Sequence, residues 1–297
     1  MTDRTSGETT GKASGKTEGE TTGKTAADAG MQAKYDSLIR RLLDAERVCV
    51  AFSAGVDSSF LLDAAHRAIP DGVLAVTVLG AMVPARDAEE ARAFCAERGI
   101  RLVTLQAEEF SVPEFAGNVP ERCYHCKKNI FTRIQRVAAE NGISHVVEGS
   151  NADDVGDYRP GMRALVELGI ESPMLDCGLA KAEIRSLAHR NGVKAWDKPA
   201  GACLATRVPF GTPLTPELLG LIEKAEYALQ DLGFTGGRVR VHDKLARIEL
   251  PYPQMQEAIV EPLRSALTGS MRELGFLHVC LDLEGYVKGS MNRAIRE

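Results

Sequence analysis

The chain has 297 residues, of which 44% are hydrophobic and 26% are charged, and its formal net charge is −5. This composition is typical of a chain that folds around a hydrophobic core in water. The acidic balance argues against a general nucleic-acid-binding protein, which would carry a basic excess. No apolar run is long enough to span a membrane, so no membrane partner is expected either.

The first 30 residues differ in composition from the rest. They contain no large apolar residue after Met1, and the hexapeptide GETTGK occurs twice, at 7–12 and 19–24. Such a segment cannot bury enough apolar surface to offset the entropy of ordering, so we expect residues 1–30 to be a disordered tail. The segment has neither the apolar core of a secretory signal nor the acid-poor composition of a transit peptide, which favours a cytoplasmic location.

Strands and helices alternate after the tail. The apolar pattern predicts strands at 48–52, 73–79, 100–105 and 145–148, and helices at 31–46, 86–98 and 129–140. A further helical stretch follows the segment 53–59 and ends at 68. This alternation predicts a doubly wound α/β fold with a parallel sheet, in which ligands bind beyond the carboxyl ends of the strands. Two loops, at 53–59 and 149–161, occupy that position.

A change in composition after Arg207 marks a connector, because three prolines and a glycine fall between residues 209 and 216. The elements predicted beyond it are helices at 216–232 and 254–267 and strands at 238–242, 246–250 and 277–283. This order is typical of a small α+β domain. We therefore divide the chain into the tail, an α/β domain at 31–207 and an α+β domain at 208–297.

The loop after the first buried strand has the composition of an anion-binding loop. Small residues at 53–55 let the backbone approach a ligand closely, and Asp57 and Ser58 stand at the start of the next helix. Amides at a helix N-terminus converge on one point, which suits a phosphate. The loop lacks the Gly-Lys-Ser/Thr of a Walker A motif, and an ordinary strand-to-helix turn with a polar cap is the alternative.

Four stretches, taken together, resemble one protein family. SAGVDS at 53–58 resembles the SGGxDS pyrophosphate-binding loop of the N-type ATP pyrophosphatases, or PP-loop proteins, with Ala54 in place of a glycine. The other stretches are EGSNADDVGDYRPG at 148–161, WDKPAGACLATR at 196–207 and LDLEGYVKGSM at 281–291. In this order they are similar to the LarE-type ATP-dependent sacrificial sulfur transferases, and the resemblance covers residues 31–297.

The resemblance implies a fold of the adenine nucleotide alpha hydrolase kind, with ATP and Mg²⁺ as cofactors. It implies that the protein adenylates a carboxylate of a pyridinium mononucleotide and inserts sulfur to give a thiocarboxylate, in assembly of the nickel-pincer cofactor of lactate racemase. The residues expected around ATP are Ser53, Gly55, Val56, Asp57, Ser58, Asn151, Asp154 and Lys181. For the last three, a solvated turn or helix start is the alternative.

The chain contains seven cysteines, which is an odd number, and the expected compartment is reducing. Catalytic chemistry or metal binding is therefore a better explanation for them than a set of disulfides. Cys203 lies in a loop rich in Pro and Gly, and Arg207 four residues later favours a thiolate. The resemblance aligns the family's sulfur-donor cysteine at this position. Of the others, we expect Cys49, Cys95 and Cys280 to lie in the core, whereas Cys177 is ambiguous.

Cys123 and Cys126 form a C-x-x-C, which alone is weak evidence for any site. With Cys203 they match the three-cysteine members of the family, which are thought to hold a [4Fe–4S] cluster with one open iron. Cys203 is then either a sacrificed donor or a cluster ligand. Both roles remain open here, and the three-cysteine pattern favours the cluster.

Arg207, Arg238 and Arg240 are candidate substrate-binding residues. Arg238 and Arg240 alternate along a predicted strand and so share one face, where two guanidinium groups can hold a phosphate. The resemblance assigns this region to the phosphate of the mononucleotide. Glu223 and Glu226, three residues apart on a predicted helix, are expected to face solvent.

Other functional classes share the ATP loop. An ammonia-using amide synthase of the NAD- or GMP-synthetase kind needs no three cysteines, and a tRNA thiolase needs a basic, aromatic RNA-binding surface that this acidic chain lacks. A nucleotide-sensing module needs no thiol. The partners expected are therefore a small-molecule nucleotide and, because the family tends to assemble, further copies of the chain.

Overall fold

The computed structural model of the protein describes residues 18–155, 160–199, 201 and 203–293. The strands are β1 (Val48–Ala51), β2 (Val73–Leu79), β3 (Arg101–Gln106), β4 (His145–Val147), β5 (Arg238–His242), β6 (Leu245–Glu249) and β7 (His278–Leu281). The α-helices are α1 (Glu18–Ala45), α2 (Val56–Ala68), α3 (Ala85–Arg98), α4 (Pro113–Ala116), α5 (Arg122–Glu140), α6 (Pro160–Glu167), α7 (Pro173–Asp176), α8 (Lys181–Arg190), α9 (Pro216–Asp231), α10 (Tyr252–Ala258) and α11 (Leu263–Glu273). None of the helices described is long and apolar enough to cross a membrane.

The first sheet has the order β3-β2-β1-β4, and all of its strands are parallel. The chain runs from β1 outward to β2 and β3, and then crosses back to place β4 on the other side of β1. The gap between the carboxyl ends of β1 and β4 is therefore the point where the strand order reverses, which is where doubly wound folds bind ligands. The predicted α/β fold is confirmed.

Helices cover both faces of this sheet. On one face, Val48 and Val50 of β1 belong to a core shared with α1, α2 and α8. On the other, Cys49 packs in a core with Phe131 and Ile134 of α5. Because alternate residues of β1 are buried on opposite faces, the strand reads as a continuous apolar run.

The second sheet has the order β5-β6-β7, with β5 antiparallel and β7 parallel to β6. Its core contains Leu219 of α9 and Val239 of β5, and also Met82, Phe115 and Cys126 from the first part of the chain. This core therefore extends across the division drawn at 207 and 208, and that division stays a prediction.

Three expectations from the sequence differ from the structure. Residues 18–30 of the predicted tail belong to α1, whereas residues 1–17 lie outside the described residues. The predicted helix at 254–267 is broken into α10 and α11, because Pro262 cannot occupy a helix interior. Helix α5 begins at Arg122, not at residue 129, so the C-x-x-C lies in its first turns.

Only two of the three cysteines predicted for the core are buried there. Cys49 and Cys95 are buried, as expected, but Cys280 is exposed. Cys280 lies on β7, the edge strand of the second sheet, where alternate residues point towards solvent. Cys177 is half-buried, and its S–H donates to the Ser37 hydroxyl at 3.6 Å.

Candidate active site

The 53–58 loop joins β1 to α2 and is braced by Ser58. The Ser58 hydroxyl accepts the Ser53 N–H at 3.2 Å and donates to the Gly55 carbonyl at 3.2 Å. Its oxygen also lies 3.0 Å from the Ser53 hydroxyl oxygen. Ser58 therefore fixes the curvature of the loop and, at 5% exposure, is a buried brace for it.

Ala54 adopts a left-handed conformation with φ of 55°, a region where only glycine is unstrained. The family loop carries glycine at this position, so the substitution places a side chain where the backbone disfavours one. The methyl group is buried, with 2% exposure, and belongs to the core beneath the loop. Burial of the methyl offsets part of the strain.

Substitutions at Ala54 should therefore have unequal effects. Ala54→Gly relieves the strain but loses a buried methyl and adds chain entropy, so we expect its free energy of unfolding to stay within about 1 kcal/mol of wild type. Ala54→Val adds a β-branched side chain at positive φ and should cost about 2–3 kcal/mol. Urea denaturation of both variants measures this, and equal stabilities would contradict the left-handed assignment.

Gly149 brings the end of β4 against the start of α2. A Cβ at this position would lie 3.0 Å from the Ser58 nitrogen and 3.3 Å from the Asp57 Cβ, which is closer than ordinary packing allows. A glycine is therefore required at position 149, because a side chain there would keep the two predicted loops apart at the carboxyl ends of β1 and β4. The 148–154 segment and the 53–58 loop form one site.

Asp57 and Lys181 form an ion pair at the centre of this site. The Lys181 ammonium donates to Asp57 Oδ2, and the Lys181 backbone N–H donates to Asp153 Oδ2 at 2.8 Å. Burial raises the pKa of Asp57 and the Asp154 carboxylate adds to this, while Lys181 partly opposes it. Asp57 Oδ1 is buried and has no hydrogen-bond partner among the described residues.

Asn151 has a local structural role. Its side-chain oxygen accepts the Asp153 N–H at 3.0 Å, and its own N–H donates to Asp154 Oδ2 at 3.1 Å. These two bonds close the 3₁₀ turn Ala152–Asp154. The structure thus uses the Asn151 amide to shape the turn that carries Asp153 and Asp154.

Lys198 contacts the 53–58 loop, although no sequence motif assigns it a role. Its ammonium donates to Asp87 at 2.8 Å and Glu90 at 2.5 Å, and also to the Ala54 carbonyl at 3.4 Å. The signal available was its place in the stretch at 196–207. The first residues of this stretch therefore contact the 53–58 loop.

The same stretch ends at the thiols. Cys203 precedes the 3₁₀ turn Leu204–Arg207, and the Leu204 N–H donates to the Met82 carbonyl at 3.0 Å. Cys126 donates its S–H to the Met82 sulfur at 3.7 Å. Met82 therefore anchors both segments that carry thiols.

Cys123, Cys126 and Cys203, hereafter the three-thiol group, act on one another electrostatically. Burial is the main cause of the raised pKa of Cys126, and Cys203 and Cys123 raise it further. Burial, with a contribution from Cys123, raises the pKa of Cys203 to about 11. These effects indicate that the three thiols lie in one region of the fold, although they are up to 80 positions apart in the sequence.

Three groups around Cys203 favour its thiolate. The Ala205 N–H donates to its sulfur, and the charges of Arg122 and Arg207 also lower its pKa. These effects only partly oppose burial. Cys126 lacks such donors, since its S–H points at a thioether. The three groups around Cys203 would stabilise its thiolate once it forms, although burial keeps the pKa of the thiol raised overall.

Arg207, Arg238 and Arg240 are all buried. Arg207 forms a two-point ion pair with Glu226, at 2.8 and 2.9 Å, and donates to the Cys203 carbonyl at 3.2 Å. Arg240 pairs with Glu249 at 2.6 Å and donates to the Thr206 carbonyl at 2.9 Å. Two of the three arginines thus hold the turn that carries Cys203.

The remaining arginine, Arg238, donates to the Gly237 carbonyl at 2.7 Å, and its guanidinium carbon lies 5.2 Å from the centre of the Tyr286 ring. Binding of a substrate phosphate by any of the three stays a prediction. The expectation that Glu226 faces solvent is wrong. Its carboxylate is buried and accepts hydrogen bonds from the Arg207 guanidinium and, at 3.1 Å, from the Val239 N–H. The Glu223 carboxylate accepts a hydrogen bond from the Ala85 N–H at 2.6 Å.

Breaking the buried pair should destabilise the protein. Glu226→Gln removes the carboxylate charge from the buried two-point pair with Arg207, so we expect the free energy of unfolding to fall by about 3 kcal/mol. Glu257→Gln, at an exposed position of α10, is the control and should change stability little. Urea denaturation followed by circular dichroism measures both, and a Glu226→Gln protein as stable as the control would contradict the assignment.

Two relatives are similar in sequence to most of the chain. An uncharacterized protein of Synechocystis is 35% identical over 265 residues, which cover 89% of this chain and 99% of the relative. The pyridinium-3,5-bisthiocarboxylic acid mononucleotide synthase of Lactiplantibacillus plantarum is 33% identical over 265 residues, which cover 89% of this chain and 95% of that protein. The chain belongs to the LarE-type family.

The LarE-type family is a branch of the PP-loop superfamily. A glutamine-hydrolysing GMP synthase component of Methanococcus maripaludis is 27% identical over 252 residues, or 80% of this chain and 77% of that protein. No family model matches the sequence. As a LarE-type protein, the chain is an ATP-dependent sulfur transferase that acts in cofactor biosynthesis.

Proposed function

We propose that this LarE-type protein adenylates a carboxylate of a pyridinium mononucleotide and converts it to a thiocarboxylate with sulfur from Cys203, in nickel-pincer cofactor biosynthesis. The observation that carries the proposal is the course of residues 196–207. Lys198 contacts the 53–58 loop, and five residues later Cys203 joins the three-thiol group. Five residues span at most about 18 Å, so Cys203 lies no farther than this from the point where Lys198 meets the loop, which supports transfer from one site to the other.

The first step uses the 53–58 loop and Lys181. A carboxylate oxygen of the mononucleotide attacks the α-phosphorus of ATP, and pyrophosphate leaves. The positive end of α2 and the ammonium of Lys181 face the departing charge, which is the arrangement that stabilises such a leaving group.

Mg²⁺ is the metal ion expected with ATP, and Asp57 fits it. Asp57 Oδ1 is a buried carboxylate oxygen without a hydrogen-bond partner among the described residues, and oxygen of this kind is a preferred Mg²⁺ ligand. When bound, Mg²⁺ supplies charge neutralisation for the pyrophosphate. Asp154, whose charge acts on Asp57, is the second carboxylate that we assign to this end of the site.

The second step uses Cys203. Its thiolate attacks the acyl carbon of the adenylate, AMP leaves, and a thioester forms. Loss of the Cα proton of Cys203 then breaks the Cβ–S bond, and the electron pair stays on sulfur. The products are the thiocarboxylate and a dehydroalanine at position 203, so each protein molecule supplies one sulfur atom.

A [4Fe–4S] cluster on the three-thiol group is the second candidate for the source of sulfur. Three soft donors that act on one another favour it. In the part of the chain that the structure describes, no three His, Cys, Asp or Glu side chains are arranged as metal ligands. We therefore derive no step through a cluster, and iron content and visible absorbance after anaerobic reconstitution test it.

The product of the reaction tests the proposed function. With MgATP and pyridinium-3,5-dicarboxylic acid mononucleotide, we expect release of pyrophosphate and a product heavier than the acid by about 16 Da for each oxygen replaced by sulfur. The GMP synthase match favours amide formation as the rival. A product made only with ammonium present, lighter than the acid by about 1 Da, would establish that rival instead.

The small-molecule nucleotide is the partner on which this function rests. Self-assembly and a cytoplasmic location stay predictions of the sequence.

A further inference from the structure

Arg122, the first residue of α5, is a buried cation that the function described so far does not use. Its side chain is 3% exposed, and its Nη1 is buried without a hydrogen-bond partner among the described residues. No ion pair in the described part of the chain involves it; the neighbouring Glu121 pairs with Arg163 at 3.4 Å. A buried charge without a counter-charge is costly, so its retention calls for an anion that arrives with a ligand.

The surroundings of Arg122 say where that anion would bind. Its guanidinium carbon lies 4.4 Å from the centre of the Phe210 ring, a cation–π contact that holds the group in place. Its charge acts on the Cys203 thiol, which puts the guanidinium within electrostatic reach of the sulfur. The next residue, Cys123, belongs to the three-thiol group. The unpartnered donor therefore lies in the region of the three-thiol group, to which the proposed function assigns the attack on the substrate.

We propose that Arg122 binds the carboxylate of the mononucleotide that is not being activated and thereby makes the enzyme prefer a pyridinium dicarboxylate to a monocarboxylate. This inference rests on the proposed function. When one carboxylate is adenylated and meets Cys203, the second, on the same ring, remains an anion. A planar carboxylate accepting two guanidinium N–H groups is the pairing that arginine geometry favours.

Substrate discrimination tests the proposal. Pyridinium-3,5-dicarboxylic and pyridinium-3-carboxylic acid mononucleotides are compared with wild type, Arg122→Met, Arg122→Lys and the control Arg136→Met, an exposed arginine on the same helix. We expect wild type and the control to prefer the dicarboxylate in the second-order rate constant for pyrophosphate release in the first turnover. Arg122→Met should reduce that preference by about 10–100-fold, with Arg122→Lys between the two and the half-saturating ATP concentration unchanged.

A binding measurement without turnover separates this inference from the proposed function. Isothermal titration calorimetry measures the affinity for the dicarboxylate directly and needs neither ATP nor sulfur transfer. Pyridine-3,5-dicarboxylate should bind wild type and Arg136→Met about 10–100-fold more tightly than Arg122→Met.

Two outcomes would overturn the assignment of Arg122. One is unchanged discrimination and dicarboxylate binding in Arg122→Met. The other is an equal loss with both mononucleotides, which would make Arg122 a counter-ion of the thiol or a packing residue. A wild-type protein that binds the dicarboxylate through Arg122 but forms no thiocarboxylate would contradict the proposed function and leave this site standing.

Discussion

Cys203→Ala is expected to abolish sulfur transfer while adenylation continues. The variant lacks the sulfur atom that attacks the acyl adenylate, but the 53–58 loop, Asp57 and Lys181 are unchanged. We expect no detectable thiocarboxylate, while pyrophosphate release that depends on the mononucleotide persists. Mass spectrometry of the nucleotide products, run beside a pyrophosphate assay, measures both steps.

Variants of the other cysteines provide the controls for this experiment. Cys280→Ser changes an exposed thiol on β7 and should transfer sulfur like wild type. Cys123→Ser and Cys126→Ser should retain transfer at a reduced rate if Cys203 is the donor, since they only alter its surroundings. Thiocarboxylate formation by Cys203→Ala at the wild-type level would refute the role given to this residue.

Asp57→Asn is expected to have the second large effect, a loss of about 10²–10³-fold in the rate of pyrophosphate release. The substitution removes the carboxylate that pairs with Lys181 and the oxygen assigned to Mg²⁺. The loss should appear mainly in the maximal rate of the first turnover, because the charge on pyrophosphate develops as the adenylate forms. Single-turnover kinetics at saturating MgATP measures it.

Asp71→Asn is the matched control, because Asp71 is an exposed carboxylate in the turn after α2. It should leave the rate unchanged. An Asp57→Asn enzyme within tenfold of wild type, with normal dependence on Mg²⁺, would show that Asp57 serves only to hold Lys181.

Patterns that repeat along the chain made the first sheet predictable. The strand at 73–79 was predicted with its observed bounds, and the strand at 48–52 ends one residue later than β1. Both are buried on two faces and read as continuous apolar runs. Because parallel strands place their carboxyl ends on one edge, the meeting of the loops after β1 and β4 also followed from the sequence.

Long-range pairing of polar groups was not predictable in the same way. Glu226 reads as an exposed helical carboxylate, since nothing nearby in the sequence reveals that Arg207 meets it. Periodicity likewise gives no sign that α5 begins at Arg122, because the segment from 122 to 128 carries too few apolar residues. The unpartnered donor of Arg122 became visible only when the packing around it was known.

Ala54 shows how a motif and its backbone combine. The sequence alone shows a glycine replaced by alanine in a family loop, which is compatible with either an ordinary or a left-handed backbone. The structure keeps the left-handed geometry with φ of 55° and places the methyl in the core. Packing thus maintains a loop shape that local preference opposes.

The most direct test of the account is the mass of the peptide that contains Cys203 after one turnover with MgATP and the dicarboxylate mononucleotide, without added sulfide. We predict that the peptide becomes lighter by about 34 Da, the mass of H₂S, in proportion to the thiocarboxylate formed. Thiocarboxylate that accumulates while this peptide keeps its full mass would contradict the account and assign the sulfur to another source.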